Sequence, residues 1–156
     1  MTTRRDFLKT MTMASAGLAL GAGDILANPT FASQRKITDK VKIAYVGIGN
    51  RGEQIIGDFA RTGMVEVVAL CDVDMGAPHT QKVMNLYPKA KRFRDFRQMF
   101  DKAGNEFDAV AIATPDHSHF PISMLALASG KHVYVEKPLA RTFYEGELLM
   151  QAALKR

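Results

Sequence analysis

A single cysteine, Cys71, stands among 156 residues, which excludes an intramolecular disulfide whatever the redox compartment. Long apolar runs are missing too. The stretch from Met11 to Gly23 falls well short of the roughly 20 residues that a bilayer-spanning helix needs. Charge is not concentrated: the net +5 comes from Lys and Arg scattered along the chain, and nothing resembles a nucleic-acid-binding module. The densest basic patch, Lys89-Ala90-Lys91-Arg92-Phe93-Arg94, reads as a solvated helix-to-strand connection, with phosphate or nucleic-acid contact as the alternative. Internal repeats and low-complexity tracts are absent, which removes repeat architectures and compositionally disordered segments. What remains, at 47% hydrophobic and 24% charged, is the composition of one ordinary globular domain.

Against those absences stands one concentrated signal. Gly47-Ile48-Gly49-Asn50-Arg51-Gly52 follows the apolar run Val41 to Val46, and Asp72 lies 20 residues past Gly52. Strand, glycine turn, helix, second strand and terminal acid, in that order, form a dinucleotide-binding fingerprint. Gly47 permits the tight turn, Gly49 lets backbone amides approach a pyrophosphate, and Gly52 lets the helix pack closely on the strand. The helix N-terminus offers unpaired N–H groups and its positive dipole end to the phosphates. Asp72 can accept hydrogen bonds from an adenosine ribose and repels a 2′-phosphate, so NAD is favoured over NADP. Asp74 could share that role or be a solvated turn acid. Arg51 either sits beside the pyrophosphate or is an exposed first residue of a helix.

The N-terminus carries a different message. Arg4-Arg5-Asp6-Phe7-Leu8-Lys9, the apolar stretch after it, and small residues at Thr30-Phe31-Ala32 (or around Ala27) resemble a twin-arginine (Tat) export signal. With no cysteine near the cleavage region, a lipoprotein is not supported. Tat export moves proteins already folded, often around a cofactor, and free nicotinamide cofactor is scarce outside the cytoplasm. The export signal and the fingerprint therefore support each other. Residues 1–32 read as this signal, 33–40 as a polar leader and 41–156 as the NAD-binding domain, of a periplasmic protein that partners the Tat machinery.

Along that domain the pattern predicts strands at Val41–Val46, Val65–Cys71, Lys91–Phe93, Asp108–Thr114 and His132–Glu136. Helices are expected at Arg51–Arg61, Pro78–Leu86, Phe96–Ala103, Phe120–Ala128 and from Phe143 onward, with Asp95 as an N-cap, Gly104-Asn105 as a stop and Gly130 as a C′ residue. Alternation of strands and helices predicts an α/β fold, a doubly wound parallel sheet of the Rossmann type. The helical pattern at Leu154-Lys155-Arg156 ends without a cap and before a sixth strand. The expectation is therefore a sheet truncated before its last strand, with no substrate domain after it. Cys71 closes a run that reads as a buried strand, so it is expected to be a small buried hydrophobe rather than a reactive thiol.

Two further segments bear on chemistry. Asp116-His117-Ser118-His119 follows the fourth strand, where open α/β sheets bind ligands. The two histidines are only two residues apart and no distant third ligand is evident, so metal binding is not expected. His119 is a candidate for the nicotinamide side, whereas His117 reads as a surface loop residue and His132 as structural. Glu136-Lys137-Pro138 follows the fifth strand, so Lys137 would face the same crevice as the glycine loop. There it could transfer a proton, or hydrogen-bond a substrate hydroxyl and hold it for hydride removal from the same carbon.

The glycine loop, Cys71-Asp72-Val73-Asp74, Thr114-Pro115-Asp116-His117-Ser118-His119 and the segment Gly130 to Ala140 occur in one order. In that order Val41 to Arg156 resembles the N-terminal half of the Gfo/Idh/MocA oxidoreductases. The resemblance implies NAD held by Gly47, Gly49, Asn50, Arg51, Gly52 and Asp72. Thr114, Pro115 and His119 would line the nicotinamide side, with Glu136 near its ribose and Lys137 as the catalytic group at the substrate hydroxyl. The implied substrate is a sugar-like small molecule, a sugar or cyclitol secondary alcohol. Family members continue into a second α/β domain that supplies the substrate pocket and usually a homo-oligomer interface. Two alternatives stand beside the oxidoreductase: an NAD-retaining exported glycosidase similar to family 109 glycoside hydrolases, and a non-catalytic, truncated dinucleotide-binding fragment.

Overall fold

The computed structural model describes residues 39–155. The export-signal reading of residues 1–32, and the leader up to residue 38, lie outside them. Five strands form one sheet: β1 (Val41–Val46), β2 (Val65–Cys71), β3 (Lys91–Phe93), β4 (Ala109–Ile112) and β5 (His132–Val135). The order is β3-β2-β1-β4-β5, with every pairing parallel. This is the doubly wound arrangement expected.

Side-chain alternation along the strands divides the core in two. Ile43, Tyr45, Leu70 and Ala111 face one side, where they meet Ile55 and Ile56 of α1 (Arg51–Arg61) and Val83 and Met84 of α2 (Pro78–Leu86). Ala44, Val46, Cys71, Val110 and Ile112 face the other. They are covered by Met99 and Ala103 of α3 (Phe96–Ala103) and by Ile122 and Ala126 of α4 (His119–Ala128). A fifth helix, α5 (Phe143–Leu154), packs on α4 and buries Leu149. The connection therefore changes face between β3 and β4. It leaves a crevice at the carboxyl ends of β1 and β4, where open α/β sheets bind ligands.

Most boundaries coincide with expectation, and the exceptions have local causes. β4 is shorter than Asp108–Thr114. Asp108 stands before it, its carboxylate accepting from Lys42 N–H at 2.8 Å. Beyond Ile112 the Ala113 N–H still bonds Val46 O at 2.9 Å, and the backbone of Ala113 and Thr114 lies against Gly47. β5 stops at Val135, although Glu136 N–H still reaches Ile112 O at 3.0 Å, because Pro138 follows without an N–H. A 3-10 turn at Asp116–Ser118 starts α4 one residue early, at His119. α3 ends at Ala103 with Gly104 as its C-cap, as expected, at φ −56°, and a 3-10 turn follows over Gly104–Glu106. Asp95 is the N-cap foreseen, accepting from Arg97 N–H at 2.8 Å, and Gly130 takes φ 80° after α4. In the basic patch, Lys91 pairs with Glu106 and Arg94 turns toward the crevice.

Candidate dinucleotide site

The crevice is a cleft of about 750 Å³ between the glycine loop, the end of β2, the start of α3 and the Thr114–Ser118 turn. The loop's shape follows from its three glycines, and each answers to a different neighbour. Gly47 has φ +79°, and a Cβ there would lie 2.7 Å from the backbone of Ala113 and Thr114. A Cβ on Gly52 would lie 2.0 Å from Gly47 O, so this glycine lets the loop fold back on itself rather than merely easing helix against strand. A Cβ on Gly49 would instead strike a side chain, the His79 ring, at 2.3 Å. Asn50 has φ 46° and ψ −101°, a strained conformation costing on the order of 1–3 kcal/mol. Its side chain makes no capping bond at the start of α1, where Gly52 N–H is instead taken up by Gly49 O at 2.8 Å.

Asp72 lines the cleft and does more than present an acid. One carboxylate oxygen accepts from Ile48 N–H and the other from Asp74 N–H, both at 3.0 Å. The carboxylate thus ties the glycine loop to the end of β2. Asp74 is engaged locally, accepting from Gly76 N–H at 3.2 Å. On the opposite flank, Thr114 and Pro115 line the cleft, and Thr114 Oγ1 is buried with no partner among the described residues. Such an orphaned hydroxyl suits a bound polar group. A cradle free of side chains at Gly47, an uncapped helix start, an acid at the strand end and this hydroxyl together fit a dinucleotide.

Arg51 lines the same cleft and also reaches across the sheet. Its guanidinium bonds Gln54 and, at 3.0 Å, Glu136 just past β5; the two side chains are 55% and 11% exposed. Tyr134 donates to the same Glu136 oxygen at 2.9 Å. The bond from Arg51, reinforced by that from Tyr134, holds the Glu136 carboxyl below the usual carboxylate range. Reciprocally, Glu136 raises the Arg51 guanidinium and, through its hydrogen bond, the Tyr134 phenol. Arg51 and Glu136 therefore link the end of the glycine loop to the end of the fifth strand.

His119 is placed differently from expectation. It is 1% exposed and does not line the cleft. Its ring nitrogens stand 2.7 Å from Pro138 O and 2.8 Å from Thr114 O, so the N–H of either neutral tautomer has a carbonyl to donate to. The imidazole stitches the end of β4 to the Lys137-Pro138 segment. Lys137 is exposed beside it, and Gly52, Glu136 and Lys137 are likewise outside the cleft's lining. Among the described residues no group of three His, Cys, Asp or Glu side chains is arranged to hold a metal. Cys71 is buried against the cleft floor, and burial pushes its thiol up to about 12, far from thiolate formation at neutral pH.

Several cleft residues escaped the sequence reading: His79, Arg94 and Arg97. Arg97 lies over the Phe96 ring, 4.5 Å from its centre, at the end of the cleft by α3. Their only sequence signal is position, since each falls within eight residues past the carboxyl end of a strand.

The strand order, the glycine loop and the acid after β2 define a dinucleotide-binding domain of the Rossmann class. The profile of the oxidoreductase family with an NAD-binding Rossmann fold, Gfo/Idh/MocA, matches residues 41–156. The chain belongs to that family, and its cofactor is NAD. Curated relatives include a "Glycosyl hydrolase family 109 protein 2" of Shewanella sp. (strain ANA-3), 28% identical over 91% of this chain and 35% of its own. An "Alpha-N-acetylgalactosaminidase" of Shewanella oneidensis is 29% identical with the same coverage. Among solved structures, the WlbA dehydrogenase of Bordetella pertussis, in complex with NADH and UDP-GlcNAcA, superimposes with a TM-score of 0.64 at 26% identity, over 74% of this chain and 35% of that one. The scyllo-inositol dehydrogenase of Lactobacillus casei gives 0.65 at 27%, over 75% and 34%. The chain thus spans about a third of the length of these relatives.

Proposed function

We propose that this chain is the cofactor-holding part of an exported, NAD-dependent oxidoreductase acting on a secondary alcohol of a sugar or cyclitol. The observation that carries this reading is the cleft itself, with the glycine loop and Asp72 on one flank and Thr114-Pro115 on the other. NAD, when bound, supplies the hydride acceptor. The loop amides and Asp72 would hold its diphosphate and ribose, and the negative charge of Asp72 disfavours a 2′-phosphate. Lys137, exposed at the carboxyl end of β5, would hold or take the proton of the substrate hydroxyl. The substrate pocket and a homo-oligomer interface would come from a further domain of the kind this family carries.

A second reading is favoured by the names of the curated relatives: a glycosidase that keeps its NAD and returns it unchanged after each cleavage. Assaying the full-length gene product on sugars and on aryl glycosides separates the two. Net NADH release from a free sugar supports the oxidoreductase, whereas glycoside cleavage with no net NADH supports the glycosidase. Export would follow the twin-arginine route. A reporter fused behind residues 1–38 should reach the periplasm, and replacing Arg4 and Arg5 by Lys should stop it.

A further inference from the structure

We infer that His79 is a cofactor-binding residue that hydrogen-bonds the diphosphate of the dinucleotide over the glycine loop. The inference rests on the NAD-binding assignment of the cleft. His79 lines that cleft, and its ring occupies the place a side chain at position 49 would take: a Cβ on Gly49 would lie 2.3 Å from Cδ2 and 2.7 Å from Nε2. The ring therefore lies beside the stretch of loop whose amides face a phosphate.

The first turn of α2 is fixed from both sides, which makes this placement a property of the fold. Pro78 opens the helix. Thr80, fully buried, sets its hydroxyl between Asp74 O and Ala77 O, at 2.7 and 2.9 Å. Lys82 pairs with Glu53 of α1 at 2.6 Å, tying α2 to the helix that begins in the glycine loop. His79 lies between these anchors, yet its own ring makes no hydrogen bond, ion pair or ring contact with the described residues. His119 spends both ring nitrogens on carbonyls, whereas His79 keeps an uncommitted N–H donor. A diphosphate held by loop amides is rich in acceptor oxygens, and an N–H donor beside it forms a charge-assisted hydrogen bond.

The test is equilibrium binding to the full-length protein, with NADH, ADP-ribose and adenosine as probes. His79→Ala is expected to weaken NADH and ADP-ribose about tenfold or more, as loss of a hydrogen bond to a charged group does, while leaving adenosine unchanged. His79→Gln, which keeps an N–H donor at similar reach, should recover most of the loss. Equal weakening of all three probes, with no recovery in the Gln variant, would mean that the ring only packs and would overturn the inference. So would unchanged ADP-ribose affinity in His79→Ala. If the wild-type protein bound neither NADH nor ADP-ribose, the assignment of the cleft itself would fall, a result distinct from both.

Discussion

At the scale of single residues, the three loop glycines look alike in sequence but answer to different atoms. Gly47 and Gly52 are hemmed in by backbone, and Gly49 only by the ring of His79. Gly47→Ala and Gly52→Ala should therefore each lower stability by more than about 1 kcal/mol, since backbone cannot step aside and Gly47 has positive φ. Gly49→Ala should leave the melting temperature nearly unchanged and weaken NAD binding. Thermal denaturation beside a binding titration checks the series, and equal melting losses at all three positions would contradict it.

Asp72 ties the glycine loop to β2, and the proposed function gives its charge a second role at the ribose. Asp72→Ala should raise the NADP-to-NAD affinity ratio about tenfold by removing a charge that repels a 2′-phosphate, and should also loosen the loop bonded to it at Ile48. An unchanged ratio would remove the ribose contact from the assignment. Glu136 offers a third test. Its carboxyl is held low by Arg51 first and Tyr134 second, so the bond's contribution to stability is present above the ordinary carboxylate range and is lost as pH falls through the lowered folded value. In Arg51→Met the Glu136 carboxyl should titrate higher by NMR, back toward its ordinary range; no movement would deny the pairing in solution.

At the scale of elements, the strands and helices were legible because each is bounded by its own chemistry. Asp95 caps α3 in the position its side chain suggested. The Thr142–Glu145 capping box at the start of α5 was equally readable, since Thr-x-x-Glu precedes an apolar run, yet it was not part of the expectation. Asp95→Ala and Thr142→Ala should each cost about 1 kcal/mol in denaturant unfolding, and Thr142→Ala, outside the cleft, should leave NAD affinity unchanged. Errors fell where an element's end is set by a neighbour. β4 ends early because Gly47 packs on the backbone of Ala113 and Thr114, and no local pattern in residues 108–114 reports that contact.

At the scale of the whole molecule, the change of face between β3 and β4 opens the crevice at the carboxyl ends of the paired strands β1 and β4. The Arg51–Glu136 pair joins residues 85 apart in the chain and links the loop after β1 to the end of β5. Lys137 lies just beyond that pair, exposed and outside the cleft's lining. In the complete protein Lys137→Ala should bind NAD with unchanged affinity while turnover falls about a hundredfold or more, the usual loss when a positioned proton-transfer group is removed. Wild-type turnover in that variant would take Lys137 out of the chemistry.

Hydrophobic period, glycine and proline breaks and the spacing of an acid after the loop are local properties. From them the sequence alone determined the order of elements, the parallel sheet, the fingerprint and NAD as the cofactor. Contacts between distant segments belong to packing, and only the tertiary structure decided those. His119 turned out to be buried between two carbonyls rather than open to the cleft. Arg51 found its partner on the far side of the sheet, and His79 came to rest against Gly49. Each is a side chain whose surroundings come from other elements, so the residue types were visible in the chain while their tasks waited on the fold.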